Sequence, residues 1–377
     1  MEFIDLHKQY EKLKKDIDKG IFDVINSTHF ISGEPVKDLE NQLKEYVGVK
    51  YCLTCANGTD ALTLALRAID VQEGDAVFVS NYTYFASAEV IALEKASPIF
   101  VDVNCSFNMD PQSLEKAIVA VLNEGILKPK AIIVVDLFGQ VADFEKIRPI
   151  ADKYNLLIIE DGAQAFGGSV NNQKACSFGD IATTSFFPVK PLGCYGDGGA
   201  IFTNKKEYYD LMCSLAVHGK GEDKYDNVRI GYNSRLDTLQ AAILIPKLKA
   251  FKEFELADRN TIANIYTSRL GDCYITPLVL PNHTSSWAQY TLLAKNEIER
   301  QFIMDELKKN GIPTMIYYKR PMHLEKVFAG VKRYVSLENS ESFMKRAFSI
   351  PMHPYLDAAT QNSIINLLLE ISGGKNK

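Results

Sequence analysis

The stretch Asp180–Asn204, DIATTSFFPVKPLGCYGDGGAIFTN, consists of two β-rich runs joined by a turn of Pro and Gly. Ile181 to Phe187 reads as one strand and Ala200 to Thr203 as another. The glycines at 196, 198 and 199 permit the tight return between them. They are not a P-loop, because no Gly-Lys-Ser/Thr closes the run. Lys190 sits at the centre, and the next carboxylate downstream is Asp197. Such an amine is either a solvated surface charge or a partly desolvated one, whose pKa then falls toward neutrality. In the second case it can form a Schiff base with an aldehyde or ketone.

Working upstream, residues 154–168 read YNLLIIEDGAQAFGG. Leu156 to Ile159 is a short apolar strand, and Glu160 and Asp161 stand where it ends. Ligands of open α/β sheets bind beyond the carboxyl ends of the strands. The interval from Asp161 to Lys190 is 190 − 161 = 29 residues, one strand and its loops, so both groups can converge on one cleft. Pyridoxal phosphate needs such a pair, a lysine for the imine and an acid to keep the pyridine nitrogen protonated.

Further strands are predicted at Tyr51 to Cys55, Ala76 to Val79, Pro98 to Val103 and Ala131 to Val135. Helical segments at 85–95, 111–123 and 143–154 alternate with them. This alternation predicts a mainly parallel sheet with helices on both faces. The turn Asn57-Gly58-Thr59-Asp60 opens a helix whose apolar face is Leu62, Ala65, Leu66 and Ile69. Its free N–H groups and positive dipole end form a ready phosphate site, or else Thr59 and Asp60 simply cap the helix. Cys52 and Cys55 lie along a strand and lack the two further ligands a metal would need, so buried thiols are expected and no metal.

Asp161, Gln164, Ser185 and Lys190, followed by Gly-Asp-Gly-Gly, resemble the fold-type I pyridoxal-phosphate aminotransferases of the DegT type, which act on nucleotide-linked keto-sugars. The resemblance runs from FIDLHKQY at the N-terminus to the Pro-Met-His-Leu segment at 321–324. It implies an α/β fold with a large cofactor domain holding a seven-stranded sheet (1–250) and a smaller C-terminal α+β domain (251–377). It implies Lys190 and Asp161 as catalytic residues, and Gly58, Thr59, Ser185 and Gln164 as further cofactor contacts. Tyr84 would stack on the pyridine ring, the alternative being an ordinary core tyrosine. Asn233, in Gly-Tyr-Asn-Ser-Arg-Leu-Asp, would reach the cofactor phosphate of a partner subunit in a homodimer with shared sites. The loop His29-Phe30-Ile31-Ser32-Gly33 would border the active-site mouth, with Ser32 near the substrate, or be a plain inter-helix loop.

The resemblance also implies L-glutamate as amino donor and a role in cell-surface polysaccharide biosynthesis such as O-antigen assembly. The segments CANGTDALTLALRA, SFFPVKPLGCYGDGGAIFTN and VRIGYNSRLDTLQAAIL look closest to the branch that aminates the 3-keto position of UDP-N-acetyl-glucosaminuronic acid. A dTDP-linked 3- or 4-keto-6-deoxysugar, or a sugar dehydratase, remain the alternatives. Arg229 either pairs with a uronate carboxylate or makes a structural salt bridge. The aromatic and basic run Tyr317 to His323 either grips an anionic sugar nucleotide, through Tyr318 and His323, or is a solvated loop.

Composition agrees with an ordinary globular enzyme: 46% hydrophobic and 24% charged residues. A net charge of −5 argues against a nucleic-acid binder. No apolar run is long enough to span a membrane, and MEFIDLHKQYEKLKK lacks a signal core. Seven cysteines in a long chain argue against a disulfide framework, so a reducing cytoplasm is expected. Beyond the polar loop 219–228, expected to be mobile and to border the substrate, a helix from about Leu236 to Leu256 is predicted to mark the change of domain. Helices at 258–270, 298–310 and 358–371 and strands near 272–276 and 287–295 follow. The tail Gly373 to Lys377 is expected to be disordered.

Overall fold

The computed structural model describes residues 1–223 and 225–373, so the expected disorder of the tail beyond Gly373 lies outside the described residues. Two N-terminal helices, α1 (Leu6–Ser27) and α2 (Glu34–Val47), lead into the sheet. Its first strands are β1 (Tyr51–Cys55), β2 (Asp75–Ser80), β3 (Ser97–Val101), β4 (Lys128–Val135) and β5 (Leu157–Asp161). A small hairpin, β6 (Ser169–Val170) and β7 (Gln173–Lys174), precedes β8 (Ile181–Ser185) and β9 (Gly199–Thr203). The spatial order is β1-β9-β8-β5-β4-β2-β3, seven strands in all. Every neighbouring pair is parallel except those involving β9, which runs antiparallel to β1 and β8. The sheet is therefore mainly parallel, as the βα alternation predicts.

Side-chain alternation along the strands builds two cores. Val77, Val79, Ile133 and Ile159 face one way and pack on α3 (Gly58–Ala68), α4 (Ala86–Leu93) and α7 (Lys206–Ala216). Phe78, Ile132, Val134 and Ile158 face the other way, onto α5 (Pro111–Glu124) and α6 (Phe144–Lys153). With both faces covered, β2 and β9 are buried along their whole length, which is why such strands read as unbroken apolar runs. A third cluster joins Leu39 and Leu43 of α2 to Leu244 and Leu248 of α8 (Thr238–Ala250).

The helix predicted to close near 256 does not close there. A wide π turn at Phe251–Glu255 carries α8 directly into α9 (Leu256–Leu270), so one rod crosses the position where the sequence places the domain change. Beyond it, β10 (His283–Thr284) pairs with β6, and β11 (Tyr290–Leu293) pairs antiparallel with β12 (Ala347–Ile350). Tyr290, Leu292, Phe348 and Ile350 pack with α9, α10 (Glu297–Lys309) and α12 (Ala358–Gly373) in a separate cluster. Met322, Phe328, Leu337 and Phe343 instead join the core of the large sheet.

Three differences from the sequence reading have physical causes. No strand forms at 272–276, where Ile275 alone bridges Leu293. The run expected from 287 starts at Tyr290, because Trp287 takes a left-handed φ of 50°, outside the extended region. Helix α11 (Glu338–Arg346) was not foreseen, since Phe343 and Met344 are its only apolar residues and too few to show a helical period. Its first turn is capped from a distance: the Asp102 carboxylate accepts from the N–H groups of Asn339 (3.0 Å) and Ser340 (2.9 Å) and from the Ser340 hydroxyl (2.6 Å).

Candidate active site

Chemistry-bearing residues collect at the carboxyl edge of the parallel strands. Glu160 and Asp161 are adjacent on β5, so the strand period sends them to opposite faces. Glu160 accepts from the backbone N–H groups of Cys176, Phe178 and Gly179, at 2.5, 2.7 and 3.0 Å. It anchors that loop. Asp161 faces the other way. Its Oδ2 accepts from the Ser87 hydroxyl (2.8 Å) and its Oδ1 from the Ala163 N–H (3.2 Å). Burial pushes the Asp161 carboxyl up, while the Ser87 bond and the Lys190 charge pull it back.

Lys190 lies in the turn after β8, where its N–H donates to the Phe187 carbonyl (2.9 Å). The side chain is half-buried. Desolvation lowers the pKa of its ammonium, and attraction to Asp161 partly offsets that. The pair inferred from spacing is thus brought together.

Helix α3 begins at the end of β1 and presents its N-terminus to the same cleft. The Asn57 side chain caps it by accepting from the Asp60 N–H (2.8 Å), while Asn57 O takes the Ala61 N–H (3.1 Å). The N–H groups of Gly58 and Thr59 are left at the dipole's positive end. A Cβ on Gly58 would lie 2.8 Å from the Ser185 Cβ, so only glycine lets this turn approach the end of β8. A helix N-terminus closed by a glycine beside a hydroxyl fits a phosphate. A buried acid and a half-buried amine at one sheet edge fit the pyridine nitrogen and aldehyde of pyridoxal phosphate.

Gln164 is fixed at both ends of its amide. Its Oε1 accepts from the Phe138 N–H (2.9 Å) and its Nε2 donates to the Tyr318 hydroxyl (2.8 Å). Tyr84 is 58% exposed, with its ring 6.2 Å from that of Tyr318, so it is not a core tyrosine. Tyr318 therefore meets the Asp161 side of the cleft across more than 150 residues of chain.

The remaining candidates fall elsewhere. Ser32 is exposed with φ 54°, in a loop pinned to the start of α8 by Thr238, whose N–H donates to Phe30 O and whose hydroxyl accepts from the Gly33 N–H. Asn233 bridges Val217, and its Oδ1 accepts from Arg235 (2.6 Å). Arg229 is exposed and donates to the Ser214 hydroxyl of α7. It lines an open cavity of 760 Å³ with His218, Asn227 and Ile230. His323 does not have the place expected of a substrate ligand. Its side chain is buried, with Nδ1 2.9 Å from the Asn81 amide and Nε2 3.0 Å from Glu341. Ser87, Asn81 and Tyr82 were not singled out in the sequence, for no local pattern separates them from core residues.

A conjoined carboxylate and amine at a parallel sheet edge, beside a helix N-terminus, defines an enzyme of carbonyl–amine exchange. Residues 11–369 match the DegT/DnrJ/EryC1/StrS aminotransferase family, and the chain belongs to that family. The UDP-2-acetamido-2-deoxy-3-oxo-D-glucuronate aminotransferase of Pseudomonas aeruginosa is 44% identical over 96% of this chain and 97% of its own. A DegT DnrJ EryC1 StrS aminotransferase from Brucella abortus superposes with a TM-score of 0.97 at 45% identity, covering 99% of this chain and 100% of that one. The NtdA structure from Bacillus subtilis, with bound cofactor PMP, gives 0.88 at 26% identity, covering 99% of this chain and 85% of its own.

Proposed function

We propose that the chain is a pyridoxal-phosphate-dependent aminotransferase that moves an amino group from L-glutamate to a nucleotide-linked keto-sugar. The substrate proposed is the 3-keto position of a UDP-N-acetylhexosaminuronate, in cell-surface polysaccharide biosynthesis in the cytoplasm. The observation that carries the reaction class is the Asp161–Lys190 pair beside the α3 N-terminus. The 44% identity to a UDP-3-oxo-glucuronate aminotransferase supports the substrate.

When bound, pyridoxal phosphate supplies an aldehyde for amines and a ring that draws in the electrons of the breaking bond. The protein does the rest. Asp161, oriented by Ser87, holds a proton at the pyridine nitrogen. Lys190, with its lowered pKa, moves a proton at the donor's α-carbon and at the sugar carbon that gains the amine. Gly58, Thr59 and Ser185 hold the phosphate, Gln164 donates to the ring oxygen and Tyr84 lies against the ring. Ser32, Arg229 and Tyr318 contact the nucleotide-sugar, with Arg229 on the uronate carboxylate.

The site is shared in a homodimer, with Asn233 reaching the partner's cofactor phosphate. The support is a set of exposed apolar side chains: Ile230, three residues before Asn233, is 83% exposed, and Phe30, Ile31 and Phe187 are exposed as well. The large domain spans 1–250 and the small one 251–377, with α8 and α9 as their common rod. Among the described residues no helix is long and apolar enough to cross a membrane. Adding L-glutamate to the cofactor-loaded protein should convert the cofactor to its pyridoxamine form, read by absorbance. A spectrum unmoved by glutamate overturns the assignment.

A further inference from the structure

Tyr82 follows β2 and is fully buried, yet it touches neither Asp161 nor Lys190 through any hydrogen bond. Its ring packs edge-on against Tyr318 (6.1 Å) and Phe343 (5.9 Å). Its hydroxyl bonds both polar atoms of one peptide group. It donates to the Tyr317 carbonyl (2.6 Å) and accepts from the Tyr318 N–H (3.0 Å). The preceding residue repeats the grip further along: Asn81 O accepts from the Met322 N–H (2.8 Å), and Asn81 Oδ1 from the His323 N–H (3.1 Å). Two consecutive residues at the sheet edge thus fasten the segment 317–323 to the site.

The Tyr318 hydroxyl accepts from Gln164, so its own proton is available for donation. Burial pushes its pKa up, which keeps that proton in place. A phenol carried on turn residues, outside any helix or strand, needs a fixed backbone to aim it. Among the described residues, Tyr82 is the one side chain bonded to both atoms of that peptide group. We infer that Tyr82 is a positioning residue for the nucleotide-sugar substrate, acting by holding Tyr318 in line with Gln164. This rests on the proposed function.

The test uses cofactor-loaded protein and UDP-N-acetylglucosaminuronic acid, the unreactive analogue without the ketone, with Kd measured by calorimetry. Tyr82→Phe keeps the ring and removes the hydroxyl. Its Kd should rise about tenfold, the size of one lost hydrogen bond's contribution. The rate at which glutamate converts the cofactor should fall by less than the affinity, because the lost hydroxyl bonds the Tyr317–Tyr318 peptide and neither Asp161 nor Lys190. Introduced into Tyr318→Phe, Tyr82→Phe should add little, since it acts only through that residue. An unchanged Kd, or an equal further loss in the Tyr318→Phe background, overturns the inference. If Tyr82→Phe does not accumulate folded, Tyr318→Phe alone decides: a Kd equal to wild type overturns it and a raised one supports it. Wild-type protein that ignores glutamate would instead refute the functional reading, before any variant is compared.

Discussion

The Asp161–Lys190 edge and the 317–341 segment face the same cleft but are built in different ways. At the first, each group sits within a few residues of a strand end, and the parallel sheet alone brings them together. At the second, almost every anchor comes from far along the chain. Tyr82 and Asn81 hold 317–323, and Asp102, at the end of β3, caps α11. Glu341 on that helix then meets His323 (3.0 Å). The sheet edge holds the acid and amine of the proposed amine exchange, and the tethered segment holds Tyr318, the proposed contact to the sugar. Strand ends hardly move when side chains change, whereas a tethered segment can be retuned one anchor at a time.

The largest expected effect tests the rigid side. Lys190→Ala removes the proposed base, so turnover should fall by about 10³-fold or more. The fold should be untouched, because among the described residues Lys190 hydrogen-bonds through its backbone N–H to the Phe187 carbonyl, a bond that alanine keeps. Steady-state kinetics and a thermal melt check both halves. A variant that keeps turnover within tenfold would place the chemistry elsewhere. The pH profile adds a sign. The unprotonated amine is the working form and its pKa is lowered by burial, so kcat should rise with pH through a value below the ordinary lysine range.

Asp161→Asn comes next. It keeps the shape and the Ser87 partner but can no longer carry charge opposite the pyridine nitrogen. The fall in kcat should be about 10²-fold. Because burial disfavours the charged carboxylate, the neutral amide should leave the melting temperature unchanged or raise it. A melting temperature lowered by many degrees would make Asp161 a structural residue first.

Asp102→Ala probes the tethered side. It strips three donors from their acceptor and uncaps α11, which should destabilise the protein by about 2–3 kcal/mol. Denaturant melts read that. KM for the nucleotide-sugar should rise more than the glutamate half-reaction slows, since α11 meets the 317–323 segment through Glu341 and His323. Equal damage to both half-reactions would erase the distinction between the two regions.

The same contrast explains what was legible. The sheet, its helices and the Asp161–Lys190 pair follow from local runs and spacing. The apolar β5 and the Pro- and Gly-rich turn after β8 state their own positions. Tyr82, Ser87 and Asp102 were illegible because a buried polar residue declares its role only through its partner, and those partners lie 235, 74 and 238 residues away. His323 misled for the same reason. Beside Lys319 and Arg320 it reads as part of a basic patch, but Asn81 and Glu341 take both ring nitrogens. Lys190 and Gly58 stood out in the sequence because what makes them unusual is their immediate neighbours.

Arg229 carries the smallest and most specific effect. Among the described residues its guanidinium meets the Ser214 hydroxyl and no carboxylate, so the structural salt bridge weighed from sequence does not form there. An exposed guanidinium facing an open cavity can pair with a uronate at modest gain, because solvent screens much of the attraction. Arg229→Ala should therefore raise KM about tenfold for a UDP-linked uronate keto-sugar and leave a neutral dTDP-linked keto-sugar unchanged. The ratio of the two kcat/KM values is the quantity to measure. If both substrates lose equally, Arg229 shapes the loop rather than reading the acid, and the uronate would have to be recognised from the 317–323 side.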